Sequence, residues 1–346
     1  MKKFLVDGRF LNSLSSGVDR YAFQILKELD RLAADLDISI LVPPDAKQVP
    51  DYQNIRVIHS HRRKHWTQLV FGWECVRRGA IPINLCNEMP LIGKKGISCL
   101  HDVLYAETPE VFPWINDYPR DEREWFLKIY ERIKKRSAKI LTVSEFSKQR
   151  AMECLGIPED RFCVVPNGWQ HFNQVETDDS LMKKYPELVA GEYFFTLTSS
   201  NRNKNVDWVL ANSKLNEGEH YCIAGKGLDQ LIDFGKYPNV TYVGFASDVL
   251  AKTLMKHAKA FLFPSFYEGF GIPPLEAMST GTPVIVSKAA SLPEIFGTAA
   301  HYIDPTDPAL NVTELMKEPV SDPQKILNRY SWSASAAKLK QILEEF

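Results

Sequence analysis

The stretch Pro264-Ser-Phe-Tyr-Glu268-Gly-Phe-Gly271-Ile-Pro-Pro-Leu-Glu276-Ala-Met-Ser-Thr-Gly281-Thr-Pro-Val-Ile-Val286 decides how this chain is read. The apolar run 259–263 reads as a strand and stops at Pro264. A glycine-bearing loop follows, and a helix opens at Pro273-Pro274, where proline suits the first turn because its missing N–H would have had no partner there. Gly269 and Gly271 let the backbone come close to a ligand. The N–H groups at the helix start favour an anion such as a diphosphate. Glu268 lies in the loop and Glu276 about one helical turn in, eight residues later. Glu276 could accept hydrogen bonds from a ribose diol and Glu268 could face a sugar. Taken alone, two such carboxylates say no more than a complement to the helix dipole and a capped turn.

Outward from this segment, short apolar runs alternate with helical patterns. Strands are predicted at 3–7, 38–42, 55–58, 81–86, 97–100, 139–143 and 162–165, then at 193–198, 219–224, 239–243, 259–263, 282–286 and 299–303. Crossover helices are predicted at 17–34, 119–137, 144–155, 205–215, 247–258 and 273–281. Strand, helix and strand repeated in this way imply parallel sheets covered on both faces. Pro166-Asn167-Gly168 is a turn signal, and the polar run 176–180 follows it, so a break falls within 166–192. The expected architecture is α/β, with two doubly wound Rossmann-like domains facing each other across a cleft. Ligands in such sheets bind at the carboxyl ends of the strands. The first domain takes 1–168 and the second 169–331, and 332–346 reads as an amphipathic helix left over after the second sheet.

Composition agrees with two globular domains and excludes several classes. The chain has 346 residues, and about 100–200 residues per domain is usual. Lys plus Arg is 42 and Asp plus Glu is 43, a formal charge of −1, so no global attraction to nucleic acid exists and any charged site is a local patch. Hydrophobic content of 45% and charged content of 25% argue against disorder. No apolar run approaches the length of a membrane span. Met1-Lys-Lys-Phe-Leu-Val-Asp7 is basic and then apolar, but Asp7 and Arg9 interrupt it, so it reads as a first strand rather than a signal peptide. Cysteines 75, 86, 99, 154, 163 and 222 show no CxxC spacing and read as reduced thiols of a cytosolic protein. Asn239-Val-Thr241 and Asn311-Val-Thr313 match the glycosylation acceptor pattern and, without a secretory signal, read as chance matches. Asp35-Leu-Asp37 reads as a turn, and no metal site is expected.

The whole string from Pro264 to Val286, continued through Ser291-Leu-Pro-Glu-Ile295, Ala299 and Asp304-Pro305, resembles the E-x7-E segment of retaining GT-B glycosyltransferases. Specifically, it is similar to glycosyltransferase family 4 (group 1), of the polysaccharide-biosynthesis type. The resemblance implies that Glu268 contacts the transferred sugar and that backbone N–H groups of Phe270, Gly271 and Ile272 hold sugar and phosphate oxygens. It implies that Glu276 binds the nucleotide ribose and that helix 332–346 packs back on the first domain. Asp7-Gly-Arg9 followed by Ser16-Gly17-Val-Asp-Arg20-Tyr21 looks like the first strand, glycine loop and helix of members that act on polysaccharide precursors, with Gly17 against the donor phosphate or the acceptor. His101-Asp102 follows a strand and coincides with the family's His-Asp position, which implies a hydrogen bond from His101 to the donor sugar with Asp102 orienting the ring. Ser144 looks like a helix N-cap in the family's strand-to-helix junction.

In Thr198-Ser-Ser-Asn-Arg202-Asn-Lys204-Asn205, Arg202 and Lys204 are expected to clamp a diphosphate, the arginine as a fork and the lysine as a point charge. Many members carry the arginine further upstream, where this chain has Thr198, so Arg202 stands as its substitute. Ala224-Gly-Lys-Gly227 and Val243-Gly-Phe245 border the nucleotide in the family, with the backbone near Phe245 reading the base. The resemblance implies no metal and no cofactor beyond the donor itself.

The implied activity is retaining transfer of a hexosyl or deoxyhexosyl unit from a nucleotide-sugar, mannosyl ahead of rhamnosyl. The acceptor is a saccharide or lipid-linked saccharide in bacterial capsule, O-antigen or exopolysaccharide assembly. A GT-B-like sugar-nucleotide epimerase and a non-catalytic nucleotide-sugar-binding subunit are the alternatives. The continuous Glu268–Glu276 segment fits transfer better, and the presence of His101, Lys204, Glu268 and Glu276 argues against a subunit without catalysis. The expected location is cytoplasmic, with no nucleic-acid partner. The stretch 59–78 carries a basic cluster, His59-Ser-His-Arg62-Arg63-Lys64-His65-Trp66, then Leu69-Val-Phe71, Trp73 and Arg77-Arg78. It reads either as peripheral contact with the anionic inner face of a membrane or as a core-facing helix with solvated arginines.

Overall fold

The computed structural model describes residues 2–13 and 16–346. Its contacts divide the chain into two units, Met1–Gly168 with Ser331–Phe346, and Trp169–Tyr330.

The first unit is built on a seven-stranded sheet in the order β3-β2-β1-β4-β5-β6-β7. Its strands are β1 (Lys3–Asp7), β2 (Asp37–Val42), β3 (Arg56–His59), β4 (Ile81–Asn84), β5 (Gly96–Cys99), β6 (Ser137–Thr142) and β7 (Phe162–Val164). Every pairing is parallel. Its helices are α1 (Gly17–Asp30), α2 (Gly72–Arg78), α3 (Arg120–Arg136) and α4 (Glu145–Leu155). Phe4, Leu5, Val6, Ile38, Ile40, Leu41 and Val42 are all buried, the continuous apolar pattern of strands covered on both faces. Helix α1 starts at Ser16, whose hydroxyl accepts from Asp19 N, and buries Tyr21, Ala22, Ile25, Leu26 and Leu29 at helical spacing. It stops at Asp30, short of the predicted 34, where the Asp30 carboxylate accepts from the backbone N–H groups of Gln53, Asn54 and Ile55. Strand β4 ends before the predicted 86 because Asn84 Oδ1 draws the N–H groups of Cys86 and Glu88 into a turn.

Between β3 and α2 the chain forms a π-helical turn, Trp66–Phe71, entered through His65 at φ 51°. Trp66, Phe71 and Cys75 pack on Leu5, Leu41 and Ala80, while Leu69, Trp73 and Val76 point outward. The stretch 59–78 therefore contains both a core-facing side and an exposed one.

The second unit has a six-stranded parallel sheet in the order β10-β9-β8-β11-β12-β13. Its strands are β8 (Tyr193–Leu197), β9 (His220–Ala224), β10 (Val240–Gly244), β11 (Ala260–Phe263), β12 (Val284–Ser287) and β13 (His301–Ile303). Its helices are α5 (Val206–Leu215), α6 (Asp248–His257), α7 (Ile272–Ser279), α8 (Leu292–Phe296), α9 (Val312–Leu315) and α10 (Gln324–Arg329). Phe194, Trp208, Tyr221, Ile223, Leu262 and Ile285 form the centre of its core. The chain then returns to the first unit as α11 (Trp332–Glu345), which lies against α1. The strand order reverses between β1 and β4 in one sheet and between β8 and β11 in the other. In open α/β sheets those reversals are where ligands bind.

Among the described residues no helix is long and apolar enough to cross a membrane. All six cysteines are free thiols.

Candidate functional site

At the reversal of the second sheet, the loops that follow β8 and β11 are laced together. Phe266 N donates to Asn203 O at 2.8 Å, and Asn203 Nδ2 donates to Tyr267 O at 3.0 Å. Asn205, held at φ 55°, donates from Nδ2 to both Pro264 O and Pro305 O at 2.9 Å. This lacing sets Lys204 opposite Glu268, with Nζ 2.7 Å from Oε1. Lys204 Nζ also lies 5.5 Å from the centre of the Phe263 ring. Ser291 Oγ donates to Glu268 O and fixes the loop from α8's side. Both charged side chains keep some exposure, 26% for Lys204 and 12% for Glu268, so a ligand can reach them.

Helix α7 opens at Ile272, one residue before the predicted start, with Gly271 as its cap at φ 97°. A Cβ on Gly271 would sit 2.7 Å from Leu292 Cδ2, so both the backbone angle and the space require glycine there. Pro273 and Pro274 carry no N–H, which leaves Gly271 and Ile272 as the donors at this helix end. Phe270 is buried, its ring edge-on to Tyr330 at 5.1 Å. Glu276, in the second turn, is buried, and its Oε1 meets His171 Nε2 at 2.8 Å. Arg202 shares a loop with Lys204, but its guanidinium pairs with Asp207 at 2.6 Å on the first turn of α5. Phe245 follows β10 and is 72% exposed.

In the first unit, Asp7 ends β1 as a buried hub. Its carboxylate accepts from Trp66 Nε1 (2.6 Å), Thr67 Oγ1 (2.7 Å), Asn84 Nδ2 (3.0 Å) and Arg9 N (3.0 Å). Burial pushes its pKa up, against the pull of these donors. His101 follows β5. Its Nε2 lies 2.9 Å from Leu85 O, a pure acceptor, so Nε2 carries the proton and Nδ1 is the acceptor. Tyr21 stands edge-on to the ring at 4.9 Å. Burial pushes the His101 pKa down to about 4, so the ring is neutral at physiological pH. Asp102 Oδ1 accepts from Leu104 N, capping the turn that follows. Ser144 is the N-cap of α4, accepting from Ser147 N, and Ser147 Oγ donates to His101 O. Gly17 is the first residue of α1, capped by Ser16.

Lys204, Glu268, Phe270, Gly271, Ile272 and Glu276 are thus gathered at one sheet reversal. Gly17 and His101 follow carboxyl ends of strands in the other sheet. His171 and Asp7 escaped the sequence reading as partners in a site. His171 belongs to no motif, and Asp7 reads only as the end of a first strand. Among the described residues no group of three His, Cys, Asp or Glu side chains is placed to hold a metal ion. Asp35 pairs with Lys340 at 2.9 Å.

Two Rossmann-like parallel-sheet units are the architecture of GT-B proteins. The whole chain superimposes on Anabaena Alr3699/HepE in complex with UDP with a TM-score of 0.70, covering 100% of both chains at 14% identity. Residues 178–344 match the family described as "Glycosyl transferases group 1". The chain is similar to O-antigen chain mannosyltransferase B of Escherichia coli, 28% identical over 229 residues that make up 62% of this chain and 58% of that protein. It is similar also to O-antigen chain mannosyltransferase RfbU of Salmonella typhimurium, 28% identical over 227 residues, 63% of this chain and 59% of that protein. The chain thus spans under three fifths of the length of these curated relatives.

Proposed function

We propose that this chain is a retaining, metal-independent glycosyltransferase that takes a hexosyl or deoxyhexosyl unit from a nucleotide-sugar. Mannosyl is the first candidate and rhamnosyl the second. The acceptor is a saccharide or lipid-linked saccharide of a bacterial surface polysaccharide. The observation that carries this reading is the Lys204–Glu268 pair at the sheet reversal, beside the Gly271-capped helix. The group 1 family match and the two O-antigen mannosyltransferase relatives support it.

Breaking the bond between the anomeric carbon and the diphosphate leaves positive charge on the sugar and negative charge on phosphate. Lys204 and the N–H groups of Gly271 and Ile272 are the preorganised partners for the phosphate in this reading. Arg202 joins them only by exchanging its Asp207 contact for the phosphate. Glu268 stabilises the oxocarbenium-like sugar, and as the bond to the diphosphate breaks the acceptor hydroxyl attacks the same face, passing its proton to an oxygen of the departing phosphate. His101 Nδ1 is the imidazole atom that accepts from a sugar hydroxyl, because Nε2 is committed to Leu85. Phe245 borders the base. The protein works in the cytoplasm and touches the inner face of the membrane through the exposed side of 59–78.

The test is turnover of GDP-mannose and dTDP-rhamnose by the whole chain, with and without EDTA, using saccharide acceptors. Glu268→Ala and Lys204→Ala should each lower kcat/KM by roughly 10²-fold or more, the scale of one lost preorganised contact. Folding should be little changed, because both lie on loops. Wild-type turnover in either variant removes that residue from the mechanism. Sugar epimerisation of the donor without acceptor would point to the epimerase reading instead.

A further inference from the structure

The first sheet carries a cavity at the amino ends of its strands, away from the carboxyl ends that His101 and Gly17 follow. Lys3, Asp37 and Arg56 are the first residues of β1, β2 and β3. The parallel register sets Lys3 beside Asp37 and Ser39 beside Arg56. Successive side chains of a strand alternate between faces, so these four share the face of Leu5, Leu41 and Ile58. Phe71 and Cys75 pack on those three residues, so α2 covers this face. Helix α2 ends with Arg77 and Arg78, and Ala80 leads on into β4. The two arginines, Lys3, Asp37, Ser39 and Arg56 line a cavity of about 230 Å³.

The charges around it do not balance. Lys3, Arg56, Arg77 and Arg78 bring four cations, against Asp37 as the one carboxylate among the described lining residues. Arg77 and Arg78 share a single oxygen, Glu74 Oε2, at 2.7 and 2.9 Å. Only Nε and Nη2 of Arg77 and Nε of Arg78 are spent on it, which leaves both side chains with further N–H donors. Lys3, Asp37 and Arg56 make no ion pair among the described residues. Ser39 is 6% exposed, and its hydroxyl makes no hydrogen bond among the described residues. A buried hydroxyl without a partner costs free energy, and so do like charges gathered without a counter-ion. An anion seated in the cavity offsets both costs.

We propose that this cavity binds a phosphate group, carried by an anionic lipid headgroup or by a small soluble phosphate, at a site separate from that of the nucleotide-sugar. The Arg56 guanidinium is a fork that fits two phosphate oxygens, Lys3 is a point charge, and Ser39 supplies an O–H donor. Asp37 is left to accept from a hydroxyl of the bound molecule. Arg77 lines the cavity and also lies 5.6 Å from the centre of the Trp73 ring, so the cavity adjoins the exposed side of 59–78. The headgroup source rests on the reading of that side as membrane-facing, and the soluble source does not.

Two experiments on the whole chain separate the sources. In one, inorganic phosphate is titrated and binding is read by thermal melting, since a ligand of the native state raises its stability. In the other, co-sedimentation is measured with phosphatidylcholine vesicles with and without phosphatidylglycerol. Both use wild type, Arg56→Ala, Ser39→Ala and the exposed pair Lys183→Ala with Lys184→Ala, which removes charge from the second unit. Arg56→Ala should weaken binding roughly tenfold, the scale of a lost hydrogen bond to a charged group, and Ser39→Ala, which changes no charge, about threefold. The lysine pair should bind as wild type does. A melting shift with phosphate that Arg56→Ala and Ser39→Ala weaken identifies a soluble ligand. Binding confined to phosphatidylglycerol vesicles and weakened in the same variants identifies a headgroup. Wild-type binding by folded Arg56→Ala or Ser39→Ala overturns the proposal, because the anion then sits at the donor site or on the outer patch. An equal loss in the lysine pair overturns it as well, and so does the absence of any wild-type response in both experiments. None of these failures touches the transferase reading, which turnover tests.

Discussion

The His101 ring is held neutral by burial, which outweighs the opposing pull of the Leu85 carbonyl, and this has a measurable consequence. An unfolded histidine titrates near 6.5, whereas in the fold His101 titrates at about 4. Between those values the unfolded chain binds a proton that the folded chain refuses, so stability rises with pH across that window. The contribution is fully present above pH 6.5 and is lost as pH falls toward 4. Its full extent is on the order of 3 kcal/mol. Urea midpoints measured from pH 7 to pH 4 should fall less steeply in His101→Gln than in wild type, and parallel curves would contradict the assignment. Motif reading finds residues such as Lys204, Glu268 and His101 because their neighbours in sequence mark them. It does not find partnerships such as His171 with Glu276, or Asp7 with Trp66, Thr67 and Asn84, because the pairs are far apart in sequence and meet only through strand order.

Among the elements, the strands are the most legible. Parallel strands buried on both faces leave unbroken apolar runs, as in Phe4-Leu-Val6 or Phe261-Leu-Phe263. The π-helical turn Trp66–Phe71 is not legible, because its extra residue per turn shifts the apolar pattern off the usual period. It puts Leu69 on the same outward side as Trp73 and Val76 of α2. The loop carrying Leu91 and Ile92 joins them, with Leu91 N donating to Gln68 O and Ile92 Cγ1 lying where a Cβ on Gly72 would be crowded. These five apolar side chains are 41–54% exposed. The guanidinium groups of Arg62 and Arg77 lie 5.2 Å and 5.6 Å from the centre of the Trp73 ring. An apolar patch rimmed by arginine suits an anionic bilayer surface, where each basic residue contributes about 1 kcal/mol. Co-sedimentation with vesicles containing anionic lipid should be strong at low salt, weaken at high salt, and be lost in the double variant Arg62→Glu with Arg63→Glu. Trp73→Ala should weaken it as well. No sedimentation with either anionic or neutral vesicles at low salt would refute membrane contact.

At the scale of the whole molecule, α11 ties the end of the described chain to its beginning. Trp332 lies edge-on to Tyr21 at 6.0 Å and Phe346 to Phe4 at 6.2 Å. Ser335 Oγ donates to Pro166 O at 2.7 Å, and Lys340 pairs with Asp35 at 2.9 Å. Ala336, Leu339, Ile342 and Leu343 are buried, and each large apolar side chain so covered contributes roughly 1.5–3 kcal/mol. Deleting 332–346 should therefore lower the melting temperature by about 10 °C or more, or give aggregated protein, while an unchanged melting curve would reduce the helix to a tail. The apolar stripe of this helix is legible in sequence, but its partner surface on α1 is not, since nothing local to either helix names the other. The same arrangement makes the first unit discontinuous in sequence. The second unit is one unbroken stretch, Trp169–Tyr330, whereas the first draws its last helix from residues 331–346, beyond that whole stretch. In refolding, the apolar face of α1 around Tyr21 therefore stays bare until a segment more than three hundred residues away in sequence reaches it, a loop closure whose entropy cost grows only slowly with its length.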